Sequence, residues 1–318
     1  MSEPPIPHWP GEFVSLGDHE VFVRSVPPAS GEPAICVHGL AGSARNWTDL
    51  MDELRPRPEA QANSTPQLDC VALDLPGFGE SRPRPDGRYS ISAMAQTVAK
   101  LIERQGRGAV HLIGNSLGGA ICVRLAARRP QLVRSLTLVC PALPDARFRM
   151  DLVRFPVVSS PWMGGWVLEK FKRLPAERRV ADVLTTCYCD PSLAHPARIA
   201  DEVAALGRWD QLSYANAALI GCMRSLVAEQ LRTGPFSPWR EAGHIAVPTL
   251  VIYGSHDRVV SPRMAGRAAR TFRDSRVVVL RRTGHIAMME HPGAVAAEIR
   301  ILLGAGVPAR EFPLTTAG

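Results

Sequence analysis

The sequence predicts an α/β fold, a mostly parallel twisted sheet with helices on both faces and an inserted helical cap. Three observations carry the prediction. Short β-branched runs alternate with longer helix-patterned stretches near both ends of the chain, which is how a parallel sheet covered by helices reads. Between them lies a stretch poor in such runs and broken by Pro156, Pro161, Pro175, Pro191, Pro196, Pro235 and Pro238. The length of 318 residues suits a large α/β domain carrying a substantial insertion.

The elements follow in order. Phe13 to Leu16 and Val21 to Val26, separated by Gly17-Asp18, read as an opening hairpin. Ala34 to Val37 and Leu68 to Leu73 are continuous apolar runs, as expected of strands buried on both faces. Ser90 can cap a helix from Ile91 to about Gln105, in which Met94, Val98 and Leu101 recur at helical spacing before Gly106 ends it. A strand over Val110 to Ile113 is followed by a helix that begins just after Ser116 and runs to Arg129, where Pro130 stops it. Leu136 to Val139 is the next strand. Strand signals return at Thr249 to Tyr253 and Arg276 to Leu280, flanking a helix at Ala265 to Phe272, and a last helix spans Pro292 to Leu303. Residues 1–144 and 244–318 are therefore expected to form the core domain, and 145–243 the cap.

Composition narrows the function classes. Hydrophobic residues are 46% and charged residues 21%, which excludes disordered and fibrous chains. The net charge of +7 comes from 34 arginines and 3 lysines, and the arginines are dispersed, which speaks against nucleic-acid binding. Met1 to Gly11 lacks the basic start and apolar run of a signal peptide, and no run is long enough for a membrane span, so a cytoplasmic protein is expected. Seven scattered cysteines without a CxxC pair indicate neither a disulfide framework nor a zinc site, and no metal is expected.

Gly114-Asn115-Ser116-Leu117-Gly118 stands between an apolar strand and a helix, the context of a nucleophile elbow. Gly114 and Gly118 allow the sharp turn that pushes Ser116 outward, at a helix N-terminus where negative charge is favoured. The bland alternative is a glycine-rich turn whose serine caps the helix. A serine hydroxyl needs a base held by a carboxylate. Of nine histidines, His285 lies in a short loop after the last strand, in Arg281-Arg282-Thr283-Gly284-His285, where Gly284 gives the ring room; His291, before Pro292, reads as a helix cap. Asp257 directly follows the strand TLVIY and is the candidate acid, with Asp145, past the strand Leu136 to Val139, as its rival. A turn role or an ion pair with Arg258 would also account for Asp257. The glycine-rich loop His38-Gly39-Leu40-Ala41-Gly42-Ser43 offers backbone N–H groups, and Leu40 and Leu117 are the expected oxyanion donors. His38 and Trp47 are expected to be structural.

HGLAGS, DLPGFGES at Asp74 to Ser81, GNSLGG, YGSHD and GHIAMMEHP together resemble the α/β-hydrolase superfamily in its order serine, acid, histidine. The resemblance covers both outer thirds and implies a structural role for the Asp74 loop. It implies a serine hydrolase that needs no cofactor. GNSLGG is similar to the carbon–carbon hydrolases that act on meta-cleavage products. Those enzymes usually carry HGxGPG and a tryptophan after the histidine, whereas this chain has HGLAGS and Ile286, more like lipases and carboxylesterases. The expected substrate is a small hydrophobic ester; carbon–carbon hydrolysis and a non-catalytic, ligand-binding role are the alternatives. Phe148, Phe155, Trp162 and Trp166 would give the cap an apolar substrate wall. Interleaved with basic residues, this stretch could also rest on a lipid surface, and the plain alternative is that the aromatics form the cap's own core.

Overall fold

The computed structural model describes residues 4–27, 30–56, 67–145, 160 and 163–304. The hairpin consists of β1 (Gly11–Ser15) and β2 (Glu20–Ser25), paired antiparallel with Phe13 opposite Phe22. It is followed by β3 (Glu32–Val37), β4 (Leu68–Leu73), β5 (Val110–Asn115), β6 (Val133–Val139), β7 (Thr249–Gly254) and β8 (Ser275–Leu280). All eight join one sheet in the order β1-β2-β4-β3-β5-β6-β7-β8, parallel from β4 to β8. The chain is thus an α/β-hydrolase fold. Each expected strand is present, Leu68–Leu73 with the expected bounds and the others with one or both ends shifted by one to three residues.

Because side chains alternate across a strand, neighbouring residues feed opposite layers. Ile35, Val37, Leu112, Val251 and Tyr253 face helices α2 (Ile91–Gln105) and α3 (Leu117–Arg128). Ala34, Cys36, Ile113, Leu250 and Ile252 face α1 (Thr48–Leu54) and the final helix, Pro292–Gly304. Each fully buried Leu, Ile or Val contributes about 1.5–3 kcal/mol of transfer free energy. Helix α2 starts where expected: the Ser90 hydroxyl accepts from the Ala93 N–H, and Gly106 closes it with φ +66°. Helix α1 has no expectation behind it. Its buried Leu50, Met51 and Leu54 are too few to stand out as a period, and it is fixed by packing on the sheet.

Between β6 and β7 the described residues form helices only: α4 (Gly164–Lys172), α5 (Ala176–Cys187), α6 (Pro196–Asp210), α7 (Ala215–Leu231) and α8 (Pro238–His244). The outer ones carry little apolar burial. Helices α7 and α8 differ: Ala218 and Cys222 of α7 and Trp239 and Ala242 of α8 are buried in the same cluster as α3, so both pack on the core. The loop after β4 anchors α6. Trp209 of α6 stacks on Phe78 with ring centroids 6.0 Å apart, and its Nε1 donates to the Gly77 carbonyl. Met264–Thr271 (α9), Ala287–Glu290 (α10) and Pro292–Gly304 (α11) complete the chain. No helix among the described residues is long and apolar enough to cross a membrane.

Candidate active site

The carboxyl ends of the central strands bring the sequence-singled residues together. Ser116 sits between β5 and α3 with φ +53° and ψ −116°, outside the regions an L-residue favours. Such a conformation costs on the order of 1–3 kcal/mol and persists where the surroundings over-determine it. Here the Ser116 N–H donates to the Val139 carbonyl, while its own carbonyl accepts from the Ala120 and Ala142 N–H groups. The tightness of the turn explains Gly118, where a Cβ would come within 2.1 Å of the Val37 carbonyl oxygen. The capping alternative fails, because the Ser116 side chain makes no cap hydrogen bond to α3.

Asp257 follows β7 and is buried; its Oδ1 accepts from the N–H groups of Val259 and Val260, and its Oδ2 lies 2.8 Å from His285 Nδ1. An ionised carboxylate only accepts, so Nδ1 carries the proton and Nε2 is the ring atom left for other work. Burial pushes the Asp257 carboxyl up, but the His285 partner and the two backbone donors outweigh it and hold it below the usual carboxylate range. The Arg258 guanidinium donates to the Thr185 carbonyl of α5. The Asp145 N–H donates to Gln230 Oε1.

Leu40 lies on the loop after β3, and Leu117 is the first residue of α3. Among the described residues neither backbone N–H has an acceptor within the chain. Gly39 presses on the elbow, a Cβ there lying 3.2 Å from the Ser116 Cβ. His38 fixes this loop: Nδ1 donates to the Gly39 carbonyl and Nε2 accepts from the Leu75 N–H. Complete burial lowers its pKa to about 4, so it is a neutral structural residue, as expected. Trp47 is fully buried core. Asp74 is a loop organiser, accepting from the Ala44 and Glu80 N–H groups.

Cys140, Asp257 and His285 place a sulfur, an oxygen and a nitrogen within 4.8 Å of one another. The Asp257 carboxylate and the His285 ring already engage each other, and burial, with Asp257 adding to it, keeps the Cys140 thiol protonated.

Phe148, Phe155 and Trp162 lie outside the described residues. Trp166 is 63% exposed, with the Lys170 ammonium over its ring, while Leu168 of the same helix turns inward. His291 directly precedes α11 and its carbonyl accepts from the Val295 N–H, while its ring donates to the Arg282 carbonyl. Two residues escaped the sequence reading. Asn115 Nδ2 donates to the carbonyls of Val139 and His285, tying the elbow to the histidine loop. Its signal was a lone amide ending an apolar strand. Glu290 is a buried acid in the otherwise apolar IAMME, accepting from three backbone N–H groups.

A family model described as the alpha/beta hydrolase fold matches residues 33–292. The chain is 27% identical over 274 residues to a dihydrolipoyllysine-residue acetyltransferase component of the acetoin cleaving system from Cupriavidus necator, covering 86% of this chain and 64% of that protein. It thus spans less than two thirds of that relative's length. It is 27% identical to Lipase 3 of a Moraxella species over 87% of this chain and 78% of the lipase. It is 26% identical to a 2-hydroxy-6-oxononadienedioate/2-hydroxy-6-oxononatrienedioate hydrolase of Paraburkholderia xenovorans, covering 88% and 90%. Among solved structures, a thermophilic esterase from Thermogutta terrifontis superposes with TM-score 0.68 at 22% identity, over 94% of this chain and all of that one, a likeness of fold.

Proposed function

Because the chain belongs to the alpha/beta hydrolase fold family, we propose that it is a serine hydrolase that cleaves a hydrophobic carboxylic ester through an acyl-enzyme. The observation that carries this reading is the strained Ser116 on the same sheet edge as the 2.8 Å Asp257–His285 pair. His285 Nε2 takes the Ser116 proton as Oγ attacks the ester carbon. The tetrahedral oxyanion rests on the Leu40 and Leu117 N–H groups, each worth about 3–4 kcal/mol of barrier. Collapse expels the alcohol, protonated by His285. Water, deprotonated by the same ring, then attacks the acyl-enzyme, and release of the acid returns the proton to Ser116. Asp257 keeps Nδ1 protonated and stabilises the imidazolium.

Residues 145–243 are proposed as the cap that sets specificity, and Phe148, Phe155 and Trp162 as substrate-binding residues within it. The outward Trp166, beside Lys170, suits a peripheral lipid contact better than a substrate wall. A cytoplasmic location belongs to the same proposal, supported by seven free cysteines. Carbon–carbon hydrolysis is the second reading, favoured by GNSLGG and by similarity to the Paraburkholderia enzyme. HGLAGS and Ile286 favour the ester. Assaying p-nitrophenyl esters of graded length beside a ring-fission dienoate decides: ester turnover supports the proposal, and turnover of the dienoate alone overturns it.

A further inference from the structure

Glu290 is buried, yet it reaches none of the groups placed at the reaction centre. Its Oε2 accepts from the Gly284 N–H at 2.6 Å, next to His285 in the chain, and its Oε1 accepts from the Cys189 and Asp190 N–H groups, each at 3.0 Å. One carboxylate therefore joins the histidine loop to the segment that follows α5. The two backbones also touch directly. The His285 N–H donates to the Cys187 carbonyl at 2.6 Å, and a Cβ on Gly284 would fall 2.2 Å from that carbonyl oxygen. On the acid side, Arg258 donates to the Thr185 carbonyl. The loops of both Asp257 and His285 are thus fastened to one stretch, 185–190.

We propose that Glu290 is a positioning residue that clasps the His285 loop to the end of α5, so that seating of this helical segment sets the histidine's alignment. Hydrogen bonds from backbone N–H groups to a buried carboxylate are stronger than neutral ones, and here they hold main chain, not a rotatable side chain. The loop gains its position from outside the sheet. A displacement of about 1 Å at a reacting group can cost roughly a hundredfold in rate, so loosening the clasp acts on catalysis before it acts on the fold. The proposal rests on the reading of His285 as the base.

The test compares the chain with Glu290→Gln, which keeps the volume but presents an NH₂ where one carboxylate oxygen accepted. Hydrogen exchange is expected to rise at 284–285 and at 187–190 together. The rate of fluorophosphonate reaction at Ser116, per folded molecule, is expected to fall by roughly ten- to a hundredfold, and kcat for a p-nitrophenyl ester with it while KM holds. Unchanged exchange, or an unchanged rate in the folded variant, overturns the proposal. Should Glu290→Gln fold poorly, Arg258→Ala cuts the parallel tie at an exposed position. A slower fluorophosphonate reaction then supports coupling through 185–190, and an unaltered one overturns it. If the unmodified chain is not labelled at Ser116, the hydrolase reading fails, and exchange alone decides the clasp.

Discussion

Asp257 and His285, 28 residues apart in sequence, meet through an Oδ2 to Nδ1 contact of 2.8 Å, with the carboxylate's other oxygen taken by two backbone N–H groups. One carboxylate oxygen thus holds the ring while the backbone fixes the other. Asp257→Asn would let Nδ1 lose its proton and favour the wrong tautomer. We expect kcat/KM for an ester to fall roughly 10⁴-fold with the fold intact, and Asp145→Asn to leave it unchanged. Steady-state kinetics on both variants check this; the reverse pattern would reassign the acid.

Gly118→Ala is expected to destabilise the chain by about 3 kcal/mol, since the added methyl would lie 2.1 Å from the Val37 carbonyl oxygen, in backbone that cannot yield cheaply. Urea denaturation measures it. A loss below about 1 kcal/mol would mean that the elbow is looser than the geometry states.

Arg124 of α3 is buried with Glu229 of α7 at 2.7 Å and Glu241 of α8 at 2.5 Å. Arg124→Ala removes the buried cation between the two carboxylates and leaves each only its half-exposed partner, Arg232 for Glu229 and Arg128 for Glu241, and should cost about 3 kcal/mol. The surface pair Arg129–Glu103 provides the contrast, with Arg129→Ala expected to cost less than about 1 kcal/mol. Equal losses would contradict the assignment of Arg124 as a buried tie.

His38 predicts a pH slope. Its folded pKa is lowered by burial from 6.5 to about 4, so between those values the unfolded chain binds a proton that the folded chain refuses. Stability from this group is full above the upper value and is lost as pH falls through the window, by about 3 kcal/mol in all. Asp257, with a carboxyl held below its ordinary range, keeps its contribution until more acidic pH. Urea midpoints from pH 7.5 down to pH 4.5 should drop, and His38→Gln should lessen the drop, leaving the share of His8, whose pKa burial also lowers to about 4. An identical slope in the variant would place the titration elsewhere.

The parallel sheet was legible because its strands are buried on both faces and read as continuous apolar runs. The elbow was legible because its glycines are dictated by backbone contacts local to one turn. Asp257 and His285 could be placed because each closely follows a strand. Helix α1 and the role of Glu290 were not legible, since both depend on partners brought near only by folding: the sheet face in one case, the N–H groups of Gly284, Cys189 and Asp190 in the other. Trp166 read as a substrate wall because an aromatic beside apolar neighbours looks the same whether its face turns in or out; its 63% exposure comes from which side of α4 packs on Met223.

The most direct test of the whole account is peptide mapping after reaction with a fluorophosphonate. The account predicts a single adduct on Ser116, absent from Ser116→Ala and formed far more slowly in His285→Ala. An adduct on another residue, or labelling undiminished in Ser116→Ala, would contradict it.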